Sequence, residues 1–449
     1  MVTPRIVPRA EHTISRKDID PDALKVLTRL RQFNHTAYLV GGSVRDLLLG
    51  RRPKDFDIGT SAHPYEVKRI FRNCWIVGRR FRLAHVRFGA KTIEVATFRR
   101  QVSEAELDAM AAATAEADES TRPHDHLIHR DNTFGTPEED AFRRDFTVNA
   151  LFYDIASFAV IDYVGGIADL HARLIRCIGD PDVRFREDPV RMLRAIVLAA
   201  RLDFAIDPPV VDSIRRNAAE ITRSAPARLM EEVYKILRAG AAERAFRDLA
   251  DVGLLQWIAP ELLKIEGGAL WTSLAELDTY RRRFDAPPPQ LTNAVLLGTL
   301  LVPRGFSLRR PWNEEPSAAD APEEDAGRRR RRPKPDFSQS NAALGVLPLA
   351  RRDLERLRQL LSLQRRLVDL QSSARAKRAL MHRACFEEAL TWLELHGHAP
   401  DVLEHWRGFL EAAGPPGTEA APAPSDRLRR PRRRRGRRGS RFADGRAPR

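Results

Sequence analysis

The residues best suited to chemistry in this sequence are two aspartates, Asp55 and Asp57, separated by one residue. A strand predicted over residues 55–58 would set both carboxylates side by side, because alternate residues of a strand point to the same face. Two adjacent carboxylates repel each other unless a cation lies between them. Two Mg²⁺ ions held there could activate an attacking hydroxyl and neutralise a leaving pyrophosphate. An isolated Asp-x-Asp is more often an exposed turn, so the surrounding sequence must decide between a turn and a metal-binding pair.

Glu94 is the candidate for a third carboxylate. It alternates with apolar and β-branched residues in a stretch predicted as a strand over residues 92–98,. A neighbouring strand could bring Glu94 against the aspartate pair, whereas a lone glutamate in a strand usually faces solvent. The sequence leaves both arrangements open.

A pair of glycines, Gly41 and Gly42, separates a predicted strand at 37–40 from a predicted helix at 44–49. Glycine lets backbone amides approach a phosphate closely, and the N-terminus of a helix adds positive potential there. The same pair could be no more than a tight strand-to-helix turn. Its position thirteen residues before Asp55 favours phosphate binding.

Residues 143–150 carry a second group of polar side chains. Arg144 and the arginine before it could clamp triphosphate oxygens through bidentate hydrogen bonds. Asn149 could bond a ribose. A surface cluster of ion pairs would show the same residue types.

A third group lies at the start of a helix. Asp188 is predicted to cap the helix N-terminus, with Pro189 in its first turn,. Asp188, Arg191 and Arg194 recur every three residues and could face one site. An aspartate and an arginine held together offer an acceptor and donors to a base edge, so they could select a nucleobase without a template. A capped helix with basic surface residues is the alternative interpretation.

These candidates need a sheet to position them. Further helices are predicted at 22–33 and 63–71, a further strand at 84–88, and a strand or helix at 148–155. This alternation implies an α/β domain built on one sheet. Beyond Asp188 the sequence reads as mostly helical.

Composition narrows the class of protein. The net charge of +15 suggests a polyanionic partner, although twelve arginines against two aspartates from Asp426 to Arg449 supply most of it,. The three cysteines are far apart, which argues against a disulfide framework or a structural zinc site,. No apolar run suits a signal peptide or a membrane span. We expect a soluble intracellular protein.

Taken in order, the motifs resemble the class II branch of the DNA polymerase β-like nucleotidyltransferases, which holds bacterial poly(A) polymerases and tRNA CCA-adding enzymes. The resemblance is strong over about residues 30–260. Its motifs are Leu39–Asp46, Asp55–Asp57, Arg143–Ala150 and Glu187–Arg191. Other segments resemble the bacterial poly(A) polymerases more closely, namely Phe71–Cys74, Val77–Val86, Asp131–Thr136, Glu138–Asp140 and Asp188–Arg194. An acidic insertion at about 102–122 departs from the pattern, where relatives have a flexible loop near the active site.

The resemblance assigns roles to single residues. It implies that Asp55, Asp57 and Glu94 bind two Mg²⁺ ions, with Mn²⁺ as an alternative ion, and that Asp145 belongs to the catalytic centre. The implied nucleotide-binding residues are Gly41, Gly42, Arg45, Arg144, Asp188, Arg191 and Arg194, of which the first three would contact the triphosphate.

The resemblance also implies an α+β fold with a polymerase β-like sheet domain first. The expected order is a flexible lead at 1–20, a catalytic head at 21–165, a helical neck at 166–260, a helical body at 261–413 with a disordered linker near 309–340, and a disordered arginine-rich tail at 414–449.

The expected activity is the addition of AMP from ATP to RNA 3′ ends, in bacterial mRNA processing and decay in the cytoplasm. Expected partners are mRNA, small RNA and decay intermediates, together with RNA-decay proteins. CCA addition to tRNA is one alternative. A non-catalytic RNA-binding protein, in which the basic tail alone binds RNA, is another.

Overall fold

The computed structural model describes residues 3–78, 82–100, 133–306 and 343–413. The chain divides into two compact units, Met1–Ala399 and Pro400–Arg449. The second unit is described as far as one helix, which ends at Ala413. The predicted insertion at 102–122, linker near 309–340 and tail at 414–449 lie outside the described residues, and the finer division into head, neck and body stays a prediction.

Eight strands of the first unit form one mixed sheet, in the order β1-β8-β7-β2-β3-β6-β5-β4. A separate pair, β9 and β10, runs parallel. The strands are β1 (Arg5–Val7), β2 (Ala37–Val40), β3 (Ile58–Thr60), β4 (Cys74–Val77), β5 (Leu83–Phe88), β6 (Lys91–Thr97), β7 (Leu151–Asp154), β8 (Ala159–Asp162), β9 (Leu174–Ile175) and β10 (Ala205–Ile206).

Helices α1 to α3 accompany the first strands, and helices dominate after Pro181. The α-helices are α1 (Pro21–Gln32), α2 (Gly42–Leu48), α3 (Pro64–Ile70), α4 (Pro137–Arg143), α5 (Gly166–Ala172), α6 (Pro181–Glu187), α7 (Val190–Leu202), α8 (Pro208–Asn217), α9 (Pro226–Arg238), α10 (Ala242–Asp251), α11 (Leu255–Ile258), α12 (Ala269–Arg281), α13 (Asn293–Leu301), α14 (Arg351–Val368), α15 (Ala374–Met381), α16 (Phe386–His396) and α17 (Pro400–Ala413). Short 3₁₀ helices cover Arg9–Glu11, Arg16–Asp18, Thr147–Asn149, Ala218–Arg223 and Pro260–Lys264. Within the described ranges, none of the helices has the length and apolar character needed to cross a membrane.

Two cores cover the two faces of the large sheet. Helices α1 and α3 lie on one face, and the buried side chains of β6, such as Ile93 and Val95, point toward them because they alternate with exposed neighbours,. On the other face a cluster that includes Val40, Phe98 and Phe152 covers the central strands. The outer part of that second face, on β4 to β6, carries exposed side chains.

Local sequence explains why several predicted elements are confirmed. Asp20 accepts hydrogen bonds from the backbone N–H of Asp22 at 2.8 Å and of Ala23 at 3.3 Å, with Pro21 in the first turn, so α1 starts where a cap and a proline predict a helix,. Strand β2 has the predicted bounds.

Two predictions were wrong, and one element was not predicted. The lead at 1–20 was expected to be flexible, yet β1 pairs with β8, and Val7, Ile14 and Ile19 are buried. The strand predicted at 55–58 is β3, which begins only at Ile58 because pairing with β2 and β6 sets its bounds. The edge strand β4 was not predicted.

Asp162, at the end of β8, connects the large sheet to helix α5. Its carboxylate is 3% exposed and accepts four backbone hydrogen bonds of 2.9–3.0 Å, which order the turn into α5. Helix α5 packs against the 3₁₀ turn Thr147–Asn149, and Asp169 in α5 accepts a 2.7 Å hydrogen bond from Thr147 Oγ1.

Asp162→Ala is therefore expected to lower the free energy of unfolding by about 3 kcal/mol, because several buried N–H groups lose their acceptor at once. Urea denaturation followed by circular dichroism measures this change. Asp212→Ala is the matched control, since Asp212 is an exposed partner of Arg215 at 3.6 Å. Equal destabilisation by both variants would contradict the role assigned to Asp162.

Candidate active site

Asp55 and Asp57 lie in the segment immediately before β3, with both side chains exposed. The backbone N–H of Val40 donates to the Asp57 carbonyl at 3.1 Å, which extends the β2–β3 ladder by one residue. Strand β3 pairs in parallel with β6, Ile58 opposite Val95. Continued back by one residue, this register sets Asp57 beside Glu94, which favours the arrangement in which Glu94 lies near Asp57.

The three carboxylates act on one another electrostatically. Burial among surrounding atoms, then the charges of Glu94 and Asp55, raises the pKa of Asp57 to about 6, and Arg144 opposes the rise. Part of the Asp57 surface nevertheless stays open to solvent. Across the described parts of the chain, no group of three or more His, Cys, Asp or Glu side chains is arranged to hold a metal ion. The carboxylates therefore do not form a closed cage by themselves.

Gly41 forms the turn between β2 and α2. Its N–H donates to the Leu151 carbonyl at 3.1 Å, and its φ of +71° is strained for any residue that carries a side chain,. A Cβ at this position would lie 2.9 Å from Nη1 of Arg144. Both facts require glycine, because the backbone is left-handed and the arginine lies directly against it.

Arg144 is held in place from three sides. Its Nε and Nη2 donate to Oδ2 of Asp140 at 3.1 and 2.9 Å, and its Nη1 donates to the Asn149 carbonyl at 3.1 Å. The guanidinium lies 5.4 Å from the centre of the Phe152 ring. It is therefore a positioned cation beside the bare backbone of Gly41.

Arg45 is buried beneath the turn, with 3% of it exposed. Its Nε and Nη2 donate to Oδ1 of Asp46 at 2.8 and 2.7 Å, and its Nη1 donates to Oδ1 of Asn149. Burial lowers the pKa of this guanidinium, and Asp46 partly offsets the effect. In this arrangement Arg45 supports the turn from behind, while its predicted contact with a triphosphate stays a prediction.

Arg194, in α7, bridges two carboxylates. It donates to Oδ2 of Asp145 at 2.9 Å and to Oδ2 of Asp188 at 3.4 Å. Burial alone would lower the pKa of Arg194, but the two aspartates raise it above its ordinary value. Asp145 also accepts a 2.9 Å hydrogen bond from the N–H of Phe146, so both of its oxygens are occupied.

One prediction about Asp188 was wrong. It does not cap α7, because its side chain turns toward arginines and makes no capping hydrogen bond. Arg191 donates from Nη1 to Glu187 and to the Arg184 carbonyl, both at 2.9 Å, and its predicted place in the nucleotide site stays a prediction. The second partner of Asp188 is Arg228, at 3.0 Å. Its Oδ1 is buried and has no hydrogen-bond partner in the described structure.

Sequence reasoning missed two supporting arginines. Arg184 donates to the carbonyls of Arg143 and Arg144 at 2.6 Å each and thereby holds that motif. Arg228 approaches Asp188 from forty residues away. Neither had a local signal, since an arginine in a helix normally indicates only a solvated surface.

Three family models match the chain, in order. The Poly A polymerase head domain matches residues 37–176, and the probable RNA- and SrmB-binding site of polymerase A matches residues 203–265. The polymerase A arginine-rich C-terminus matches residues 341–440.

Among individual relatives, the sequence identity is higher to poly(A) polymerases than to a CCA-adding enzyme. The chain is 51% identical to poly(A) polymerase I of Salmonella typhi over 58% of its own length and 54% of that protein, and 49% identical to that of Escherichia coli O157:H7 over the same shares. A CCA-adding enzyme of Lactobacillus johnsonii is 34% identical over 56% of this chain and 58% of that one. The chain thus spans about half the length of the curated relatives it matches.

Among solved structures, the CCA-adding enzyme of Bacillus stearothermophilus in complex with CTP is similar, with a TM-score of 0.57 and 26% identity. The similarity covers 88% of this chain and 83% of that one. With the head, RNA-binding and arginine-rich models all matched, the chain belongs to the poly(A) polymerase family of class II nucleotidyltransferases, which is related to the CCA-adding enzymes.

Proposed function

We propose that this chain adds AMP from ATP to the 3′ end of RNA without a template. The observation that carries the proposal is the electrostatic interaction of Asp57 with Asp55, with Glu94 and with Arg144, the arginine that lies against the glycine turn. Adenylate is proposed over CCA because identity to poly(A) polymerase I is 51%, against 34% to a CCA-adding enzyme over a stretch of similar length.

The aspartate pair suits Mg²⁺, with Mn²⁺ as an alternative. Mg²⁺ is commonly held by one or two carboxylates together with substrate phosphates, so a closed protein cage is not needed. Burial, and then the charges of Glu94 and Asp55, raise the pKa of Asp57, and a bound cation would offset the repulsion among these carboxylates,. When bound, such ions lower the barrier for attack of a hydroxyl on a phosphate and neutralise the pyrophosphate that leaves.

The remaining residues bind and orient the nucleotide. The bare backbone of Gly41 lets a phosphate come close, and Arg144 beside it supplies positive charge and hydrogen-bond donors,. Oδ1 of Asp188 is buried without a partner in the described structure, so it can accept from an exocyclic amine once a small movement exposes it, while Arg194 contacts the other oxygen. Asp145 acts through Arg194 and thus positions the base-binding group.

The alternative is CCA addition to tRNA. Adenine and cytosine both carry an exocyclic amine donor, so the free oxygen of Asp188 suits either base. The similar fold of a CCA-adding enzyme keeps this alternative open. A non-catalytic RNA-binding role is disfavoured because all three carboxylates are present.

The RNA substrates we propose are mRNA, small RNA and decay intermediates in the cytoplasm, and an association with RNA-decay proteins stays a prediction. The direct test offers labelled unstructured RNA and tRNA lacking its 3′ CCA to the purified chain, each with ATP or with CTP. We expect long adenylate additions to unstructured RNA. Failure to extend that RNA with Mg²⁺ present would refute the proposal, and CTP incorporation confined to the tRNA would favour the alternative.

The pKa of Asp57 predicts how activity depends on pH. Below about pH 6 protons compete with the cation for this carboxylate, so the Mg²⁺ concentration needed for half-maximal activity should rise up to about tenfold per pH unit,. Because the folded pKa exceeds the ordinary 3.8, the metal-free protein should lose stability as the pH rises from about 4 through 6,. Activity titrations with Mg²⁺ between pH 5 and 8 measure the first effect. A half-maximal concentration that does not change below pH 6 would contradict it.

A further inference from the structure

The face of the sheet that carries the carboxylates continues outward past Glu94. The register sets Glu94 of β6 opposite His85 of β5, and His85 opposite Trp75 of β4. His85 Nε2 lies 3.6 Å from Glu94 Oε1. One row of side chains therefore runs from Asp57 across three strands to Trp75 on the edge of the sheet.

This row is on the open face. The alternating residues Cys74, Val86 and Ile93 are buried under the helices, whereas Trp75 is 52% exposed and Val77 on the same side of β4 is 46% exposed. A tryptophan exposed to this extent is costly in water, and contiguous exposed apolar groups mark interaction surfaces. Because Trp75 lies in line with the carboxylates, its exposed ring is best explained as a contact with the substrate.

We propose that Trp75 stacks on a base of the RNA strand, a few nucleotides before the 3′ end that reaches Asp55 and Asp57. The proposal rests on the proposed function, because it assumes that RNA is the substrate. Three strand spacings separate Trp75 from Asp57, which is about 14 Å. A stacked strand rises about 3.4 Å per nucleotide, so a base near the fourth position from the end lies over the indole.

Stacking suits an enzyme that must accept many sequences. Every base has a π-face, so an aromatic platform binds single-stranded RNA without reading its sequence. Among the described residues, Glu94 and Trp75 are exposed at the two ends of this row, so a strand could run from the edge of β4 toward the carboxylates. Edge strand β4 could also pair with a strand of another protein, but such a partner would not account for the alignment of Trp75 with the carboxylate row.

The test compares Trp75→Ala with the wild-type chain on two primers, oligoadenylates of two and of eight nucleotides. A dinucleotide held at the carboxylates is too short to reach Trp75, whereas the octanucleotide reaches it. We expect the KM for the octanucleotide to rise about tenfold, with the KM values for the dinucleotide and for ATP unchanged. Trp75→Phe should retain most of the affinity. An unchanged octanucleotide KM, or an equal rise for the dinucleotide, overturns the proposal.

Tyr65→Ala is the matched control, since Tyr65 is 60% exposed on α3, on the helical face of the same sheet.

A binding measurement separates this proposal from the proposed function. Binding of a labelled octanucleotide is measured by fluorescence anisotropy in an Asp55→Ala background. A salt concentration of about 0.3 M weakens electrostatic binding by arginines, so that stacking contributes more of the remaining affinity. Weaker binding by the Trp75→Ala form supports the platform even if wild-type chain extends no RNA. Equal binding by both forms overturns it.

Discussion

Asp55→Ala is expected to reduce RNA extension at least about 1,000-fold while RNA affinity stays within about twofold. The variant removes the carboxylate that acts on Asp57 together with Glu94. Cation stabilisation of the transition state contributes several kcal/mol, and each 1.36 kcal/mol is worth a factor of about ten in rate. Primer extension under single-turnover conditions measures the rate, and anisotropy of labelled RNA measures binding.

Asp22→Asn is the control for this variant, because Asp22 lies on α1, on the opposite face of the sheet, and pairs with its neighbour Lys25 at 2.8 Å. It should extend RNA at the wild-type rate. A parallel loss of RNA binding in Asp55→Ala would point to misfolding, whereas full activity in a folded Asp55→Ala protein would refute the catalytic role of the pair.

Arg194→Ala is expected to lower kcat/KM for ATP about 100-fold and to weaken the preference for ATP over CTP. The change removes a hydrogen bond from Asp145 and another from Asp188, so the carboxylate that offers Oδ1 to a base loses its fixed orientation,. Steady-state kinetics with each nucleotide measure the effect. The loss should appear mainly in the KM for the nucleotide, since Arg194 positions Asp188 and does not touch the reacting phosphate.

Arg194→Lys is expected to recover part of the loss, because a lysine can reach one carboxylate but cannot bridge both with a planar fork. Arg283→Ala is the matched control, since Arg283 is a half-exposed arginine paired with Glu394 at 2.7 Å in the C-terminal helical region. If Arg283→Ala impaired ATP use as strongly as Arg194→Ala, the bridge would have no specific role.

The sequence could predict the features that depend on short-range patterns. Strand β2 and helix α1 follow from apolar periodicity and from the cap at Asp20. The proximity of Glu94 to Asp57 was also predictable in outline, because alternation marks residues 92–98 as a strand that needs a neighbour. The order of the motifs along the chain carried the family assignment.

The features that the sequence could not predict depend on partners that are distant along the chain. The start of β3 is set by its pairing with β2 and β6, so a local pattern placed it too early. The contact of Asp188 with Arg228 depends on how α7 and α9 pack together. The resemblance implied that Arg45 contacts the triphosphate, but its burial against Asp46 and Asn149 had no signal in the local sequence.

The glycine turn links these observations to the proposed chemistry. Gly41 has a positive φ that favours glycine, and a Cβ there would meet Arg144, which is held by Asp140 and Asn149. The same Asn149 binds Arg45 beneath the turn. One asparagine thus fixes both arginines, and the surface that would meet a triphosphate is organised before any nucleotide binds.

The most direct test of the central claim is the ratio of kcat/KM for ATP to that for CTP, measured on one unstructured RNA with Mg²⁺ present. We expect a ratio well above one, repeated addition of adenylate, and loss of both ATP and CTP incorporation in Asp55→Ala. A ratio below one, or extension that persists in Asp55→Ala, would contradict it.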